Sequence, residues 1–344
     1  MDSDKRDEDT SVQYTETAVG RPSKKSLLIA HVKRFWWVHL LIICCIVALA
    51  VPLTIFVGIK HLAQSQLNKA TLAIQGITVT NSTTESFHMA INSTIKGTKT
   101  KATVHSFVGA MYLEDEPGHV PFAHINFPET KNKPMQSVNI SQLVPIENLA
   151  ALTTFNSWIL ANESVRVTVD GNTTINVPGI SHKYHVHFHK ILTLTGLDSF
   201  SGMSVANSSV TASNFSDGSN FHTTVTIPNK SVLSFEIGNA TFNTYLEDTY
   251  IGPTYINNVF LHQGDNVYPL HSKLAAIPVL TALDSEPYCG NGTLPITISG
   301  STVSRNGENL TYYSDALASS NDTVQVPLAD AFKAIGINAK CPSS

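Results

Sequence analysis

A chain of 344 residues is long enough for two ordinary domains, since single hydrophobic cores stop growing beyond about 250 residues. Only 14% of its residues are charged, against a usual share of about 25%, so Ser, Thr and Asn must keep the surface soluble. Its 22 basic and 26 acidic side chains leave a net charge of −4, which offers no positive field for phosphates and excludes nucleic-acid binding.

Residues 1–34 open with MDSDKRDEDT, turn basic and contain few apolar groups to bury, so they are expected to form a disordered cytosolic tail. From Phe35 to Ile59 no charged residue occurs. As a helix this run reaches about 37 Å, more than the roughly 30 Å hydrocarbon core of a bilayer, and predicts a membrane span over 35–59. Trp36 and Trp37 suit the interfacial aromatic belt, and Pro52 predicts a bend. Ala48-Leu49-Ala50 imitates a signal-cleavage pattern, yet the apolar run continues past it, which favours an uncleaved anchor. Arg21, Lys24, Lys25, Lys33 and Arg34 precede the span, whereas only Lys60 and Lys69 closely follow it, so the N-terminus is expected in the cytosol. The sequons agree with that direction: Asn81, Asn92, Asn139, Asn162, Asn172, Asn207, Asn214, Asn229, Asn239, Asn291, Asn309 and Asn321 all follow the span.

Residues 60–70 read as a short helical stalk, after which Val/Ile/Thr/Phe-rich runs of alternating polarity predict antiparallel sheets. VRVTV, Asp170-Gly171 and NTTINV predict a hairpin, because the Asp-Gly pair accepts positive φ. Just before it, Leu149, Leu152, Phe155 and Ile159 fall at helical spacing. The stretch from Val167 to Thr173 recurs as Ile296 to Thr302, again after a helical stretch, Lys273 to Leu283, which Pro278 interrupts. The expected architecture is therefore mainly β: two tandem fibronectin-like β-sandwich domains, residues 71–205 and 206–344, each with a short helix. Cys44 and Cys45 lie in the span. Cys289 and Cys341 lie in the body, where an oxidising compartment would let them close a loop of about 53 residues, worth about 4 kcal/mol.

INFPET (125–130), VNIS (138–141), NLAALTTF and VTVDGNTTI make the run from Leu72 to about Met203 resemble a fungal domain of unknown function found in vacuolar-membrane proteins linked to termination of autophagy. The next stretch resembles a late-embryogenesis-abundant (LEA) type 2 domain, through Ile227-Pro228-Asn229, Phe235 to Asn239, Ile251-Gly252 and Gly264-Asp265-Asn266. The resemblance implies a fibronectin-type sandwich and a vacuolar-membrane location in preference to the plasma membrane. Its motifs are packing and turn residues, so it carries over no catalytic residue.

In SHKYHVHFHK, His185, His187 and His189 alternate with Tyr184, Val186 and Phe188, which on a strand puts three imidazoles on one face. They are the candidate metal ligands, with His182 nearby; the alternative is a solvated polar face opposite a buried apolar one. Glu114, Asp115 and Glu116 read as a solvated turn, and Glu247 with Asp248 lacks the context of an acid–base pair. No hydrolase elbow, zinc-protease helix or phosphate loop is present. The expectation is a non-enzymatic, single-pass membrane glycoprotein without a cofactor, whose body binds or scaffolds a protein or lipid. The alternatives are a glycan receptor, which needs exposed Trp or Tyr platforms, and a metal-assisted hydrolase built on the histidine strand.

Overall fold

The computed structural model describes residue 29 and residues 31–96, 102–131, 135–338 and 341, in two compact units, residues 1–59 and 60–344. In the first unit, helix α1 (Trp36–Leu53) has no buried residue, as an apolar helix with lipid for a solvent would. Pro52 cannot donate a backbone hydrogen bond. The turn that follows it, Thr54–Gly58, widens to a π-helix while the Thr54 hydroxyl donates to Ala50 O at 2.8 Å. Most of the expected tail lies outside the described residues. Its described part, Ile29 and residues 31–34, is helical rather than disordered, and Phe35 N continues the ladder by donating to His31 O at 3.0 Å.

In the second unit, α2 (Ile59–Lys69) is followed by β1 (Thr71–Thr80), β2 (Ser86–Lys96), β3 (Thr103–Val104), β4 (Phe107–Leu113), β5 (Ala123–Phe127), β6 (Thr130–Lys131) and β7 (Gln136–Pro145). Next come α3 (Leu149–Ala161), β8 (Ser164–Asn176), β9 (Lys183–Thr195), β10 (Ser204–Val210), β11 (Phe221–Asn229), β12 (Leu233–Leu246), β13 (Thr249–Leu261) and β14 (Gly264–Ser272). The chain closes with α4 (Ala276–Leu283), β15 (Thr293–Arg305), β16 (Glu308–Asn309), α5 (Thr311–Ala318), β17 (Asn321–Pro327) and α6 (Ala329–Ala334).

One sheet runs β10-β11-β14-β13-β12-β1-β2-β7, with β15 added on β12, and β16 and β17 on β15. The other runs β5-β4-β8-β3-β6, with β9 on β8. The expected division between residues 205 and 206 falls inside β10, and strands from both sides share the first sheet. They are joined by a parallel pairing of β1 with β12 through Ile77, Thr78 and Val79. One apolar core, with Ile77, Phe87, Leu152, Phe235 and Tyr313, also crosses that division; a second, around Ile251, Leu283 and Leu294, has its buried members within residues 206–344, with Met203 and Val205 packed against it.

Helix α3 starts where the Asn148 side chain accepts from Ala151 N at 2.9 Å, and it buries Leu152, Phe155 and Ile159. Leu149 stays exposed. Pro278 does not interrupt a helix: α4 begins at Ala276, which puts the proline in the first turn, where no intrahelical donor is lost. The second half carries α4, α5 and α6 rather than a single helix.

The expected hairpin at Asp170-Gly171 is absent, because β8 runs straight through both residues. Gly171 serves close approach instead of a turn: a Cβ there would lie 2.6 Å from Val108 O and 3.0 Å from the Phe107 ring on β4. Its counterpart in the repeated stretch, Gly300, also lies inside a 13-residue strand, where a Cβ would meet the Leu317 Cβ at 2.4 Å.

Candidate functional site on the histidine strand

Strand β9 holds Tyr184, Val186 and Phe188 against the core, Tyr184 at 1% exposure, and turns His185, His187 and His189 outward. Its antiparallel partner β8 sets Thr174, Asn172 and Asp170 opposite those three histidines in turn. Because β8 does not turn at Asp170, the carboxylate sits between two imidazoles. His187 Nε2 donates to Asp170 Oδ1 at 3.0 Å and His189 Nδ1 donates to Oδ2 at 2.9 Å, with ring centroids 6.0 Å apart. Partial burial pushes the Asp170 carboxyl up, but the hydrogen bonds from His189 and His187 and their charge outweigh it and hold the group below the usual aspartate range. His182 lies before the strand, edge-on to the Tyr184 ring at 4.9 Å.

The expected ligands thus share a face without sharing a point. Among the described residues, the three-member group whose ligand-type atoms lie within 4.8 Å of one another is Glu286, Cys289 and Cys341, not the histidines. In that group the two sulfurs are joined as a disulfide, with Cα atoms 5.1 Å apart, and neither is a thiolate.

The outer edge of β9 is met by α2, which is therefore a docked helix and not a free stalk. Ala63 and Leu67, one turn apart, are its buried positions. The Gln64 amide takes the place of a neighbouring strand, accepting from His187 N at 2.9 Å and donating to His187 O at 2.7 Å. Lys190 Nζ donates to Asn68 O and Ala70 O, both at 2.7 Å, and so caps the carbonyls at the end of the helix. Burial pushes the Lys190 ammonium down. No signal in the sequence marked Gln64 or Lys190, because both contacts span more than 100 residues.

Two of the acidic trio, Asp115 and Glu114, are engaged in structure, whereas Glu116 Oε2 is buried without a hydrogen-bond partner. Arg166 Nε donates to Asp115 at 2.9 Å, and Thr168 Oγ1 donates to Glu114. Glu247 and Asp248 form the tight link between β12 and β13, and Glu247 accepts from the Tyr288 hydroxyl at 3.3 Å.

A Ser219–His222–Asp217 cluster was not visible in sequence. Its geometry is not that of a hydrolytic relay, since Ser219 Oγ (2.7 Å) and Asp217 Oδ2 (3.0 Å) both meet the same nitrogen, His222 Nε2. Ser219 is 3% exposed, which closes it to a substrate. His222 also stacks face to face on Phe215 at 4.0 Å, and His271 on Tyr255 at 5.2 Å, so these rings present their faces to one another.

Eleven sequon asparagines are exposed; Asn229 is not, at 1%. Its side chain donates to Leu233 O at 2.8 Å and accepts from Ser231 N at 2.8 Å, leaving no direction for a sugar to leave. Asn92 and Asn139 face each other across β2 and β7.

Fold and site together define a mainly β, sandwich-like body with one apolar helix near its N-terminus that is long enough to cross a membrane. Within that body, residues 120–244 match the family described as "Protein of unknown function (DUF3712)", from just before β5 into β12. That description names no function, so the likeness to vacuolar and LEA type 2 domains rests on the quoted motifs alone. No curated protein matches the chain. The CupB6 tip adhesin from Pseudomonas aeruginosa is similar at 10% identity over 59% of this chain and 88% of its own, with a TM-score of 0.19. A Mobiluncus mulieris adhesin with intramolecular disulfide, isopeptide and ester cross-links is similar at 8% identity over 73% and 84%, with a TM-score of 0.20. Likeness at this level says nothing of activity.

Proposed function

We propose that the chain is a non-enzymatic single-pass membrane glycoprotein of type II, with its N-terminus in the cytosol and its β body in the lumen, where the body binds or scaffolds a protein partner. The vacuolar membrane is the favoured location, on the strength of the motif resemblance. The observation that carries the reading is an apolar helix with no buried residue, followed by a body whose sequons are exposed at every position but Asn229. Outside the histidine strand, the Asp115–Arg166, Asp217–Ser219–His222 and Glu247–Tyr288 groups are engaged in hydrogen bonds and ion pairs with one another.

Protease treatment of intact vesicles tests the topology. An N-terminal tag is expected to be digested while the body survives and carries endoglycosidase-sensitive mass. A protected tag, or a body that is digested and bears no sugar, overturns the reading. Metal analysis of the purified full chain, compared with a His185→Ala/His187→Ala variant, decides the hydrolase alternative; stoichiometric zinc or copper lost in the variant would favour it.

A further inference from the structure

Among the described residues, two strand edges that face one cleft carry no strand there. Among the described residues β9 pairs with β8 alone, and β1, paired with β2 along its length, meets β12 only at Ile77–Val79. The two edges line a cleft of about 320 Å³, with Leu72, Ala73 and Ile74 in one wall, Ile191–Thr195 in the other, and Val232 completing it. Successive strand residues point to opposite faces, so five neighbours can line one cavity only through their backbone edge. The cleft has defined ends. At one, Lys190 holds Ala70 O; at the other, Ser231 Oγ donates to Thr195 O and Ile77 N donates to Val232 O at 2.9 Å. Those contacts also fix direction, because β1 and β9 both run from the first end to the second.

Edge chemistry is already in use one step away. At His187 the Gln64 amide imitates a neighbouring strand, and α2 ends at Lys69, which leaves the edge from Ile191 onward uncovered. Such paired donors and acceptors are complementary to an extended main chain.

We infer that this cleft is a strand-addition site that takes an extended, uncharged peptide segment of about five residues from a protein partner, antiparallel to both β1 and β9. The identification rests on the reading that the body's partner is a protein. Leu72, Ile74, Leu192 and Leu194 supply the inner walls, so the segment carries apolar side chains at alternate positions. No acidic or basic side chain lines the cleft to pair a charge in the segment.

The test uses the full chain in nanodiscs and a displayed library of random nine-residue peptides. Selected peptides are expected to alternate apolar residues and to slow deuterium exchange at residues 71–75 and 191–195 at least tenfold. Methylating the peptide nitrogens that face Thr193 should weaken binding at least tenfold, and this readout requires no change to the protein. Thr193→Pro, checked for wild-type exchange protection elsewhere, should do the same. No enrichment, undiminished binding of the methylated peptides, or protection confined to another surface overturns the inference. Protection at another surface leaves protein binding standing, and a failed topology assay is read independently.

Discussion

Replacing Gly171 separates the two meanings a glycine after aspartate can have. In a turn with positive φ, Asn substitutes for Gly at little cost, because its short polar side chain tolerates the left-handed region. In the extended strand seen here, any Cβ meets Val108 O at 2.6 Å and the Phe107 ring at 3.0 and 3.2 Å. The oxygen is backbone of β4, held where Val108 pairs with Asn126 of β5, and cannot rotate away, so relief requires β4 and β8 to part. Overpacking of this kind costs about 1–3 kcal/mol, and Gly171→Asn should cost at least as much as Gly171→Ala. At about 2–4 °C per kcal/mol for a body of this size, Tm should fall by roughly 2–12 °C. Thermal unfolding of the full chain in detergent, followed by fluorescence, measures it. A Gly171→Asn protein that melts within about 1 °C of wild type would refute the strand reading and restore the turn.

Asp322 on β17 is half-buried, and burial pushes its carboxyl up to about 6. A folded value above the unfolded 3.8 means that its stabilising contribution is complete below pH 3.8 and is lost as pH rises through about 6. Asp322→Asn should therefore raise Tm at neutral pH by the equivalent of about 1 kcal/mol, after discounting for its solvent access, and leave it nearly unchanged at pH 4; parallel curves for the two proteins would contradict this. Asp170 has the opposite sign, with stability present above the ordinary aspartate value and lost as pH falls through the depressed one. Asp170→Asn should cost about 1 kcal/mol at neutral pH, with the gap closing in acid, and a constant gap across a chemical-denaturation series would show that the two histidine bonds do not stabilise the fold. Glycopeptide mass spectrometry should find Asn229 bare while exposed sites such as Asn92 and Asn139 carry sugar, and a glycan on Asn229 of the folded protein would contradict its burial.

The histidine strand shows how much of the site could be read in advance. Alternation in YHVHFH correctly assigns inner and outer faces, because strand geometry has a period of two that no tertiary context changes. The acceptor that joins two of its histidines lies on the neighbouring strand and depends on β8 remaining straight at Asp170-Gly171. The local signal there pointed to a turn, and it lost to a contact with Phe107 and Val108, more than 60 residues earlier in the chain. Pro278 illustrates the same limit, since proline in a first turn and proline in a helix interior look alike until the helix start is known.

The apolar helix, the strand-rich body and the alternating burial along β9 follow from solvation and periodicity, which act over a few residues and are written in the chain order. Which edges pair, which stay open, where Gln64 docks and which sequon is buried depend on contacts between distant segments. Those were decided only when β1 met β12 and α2 met β9, because only the assembled sheets determine which backbone groups retain water as their partner.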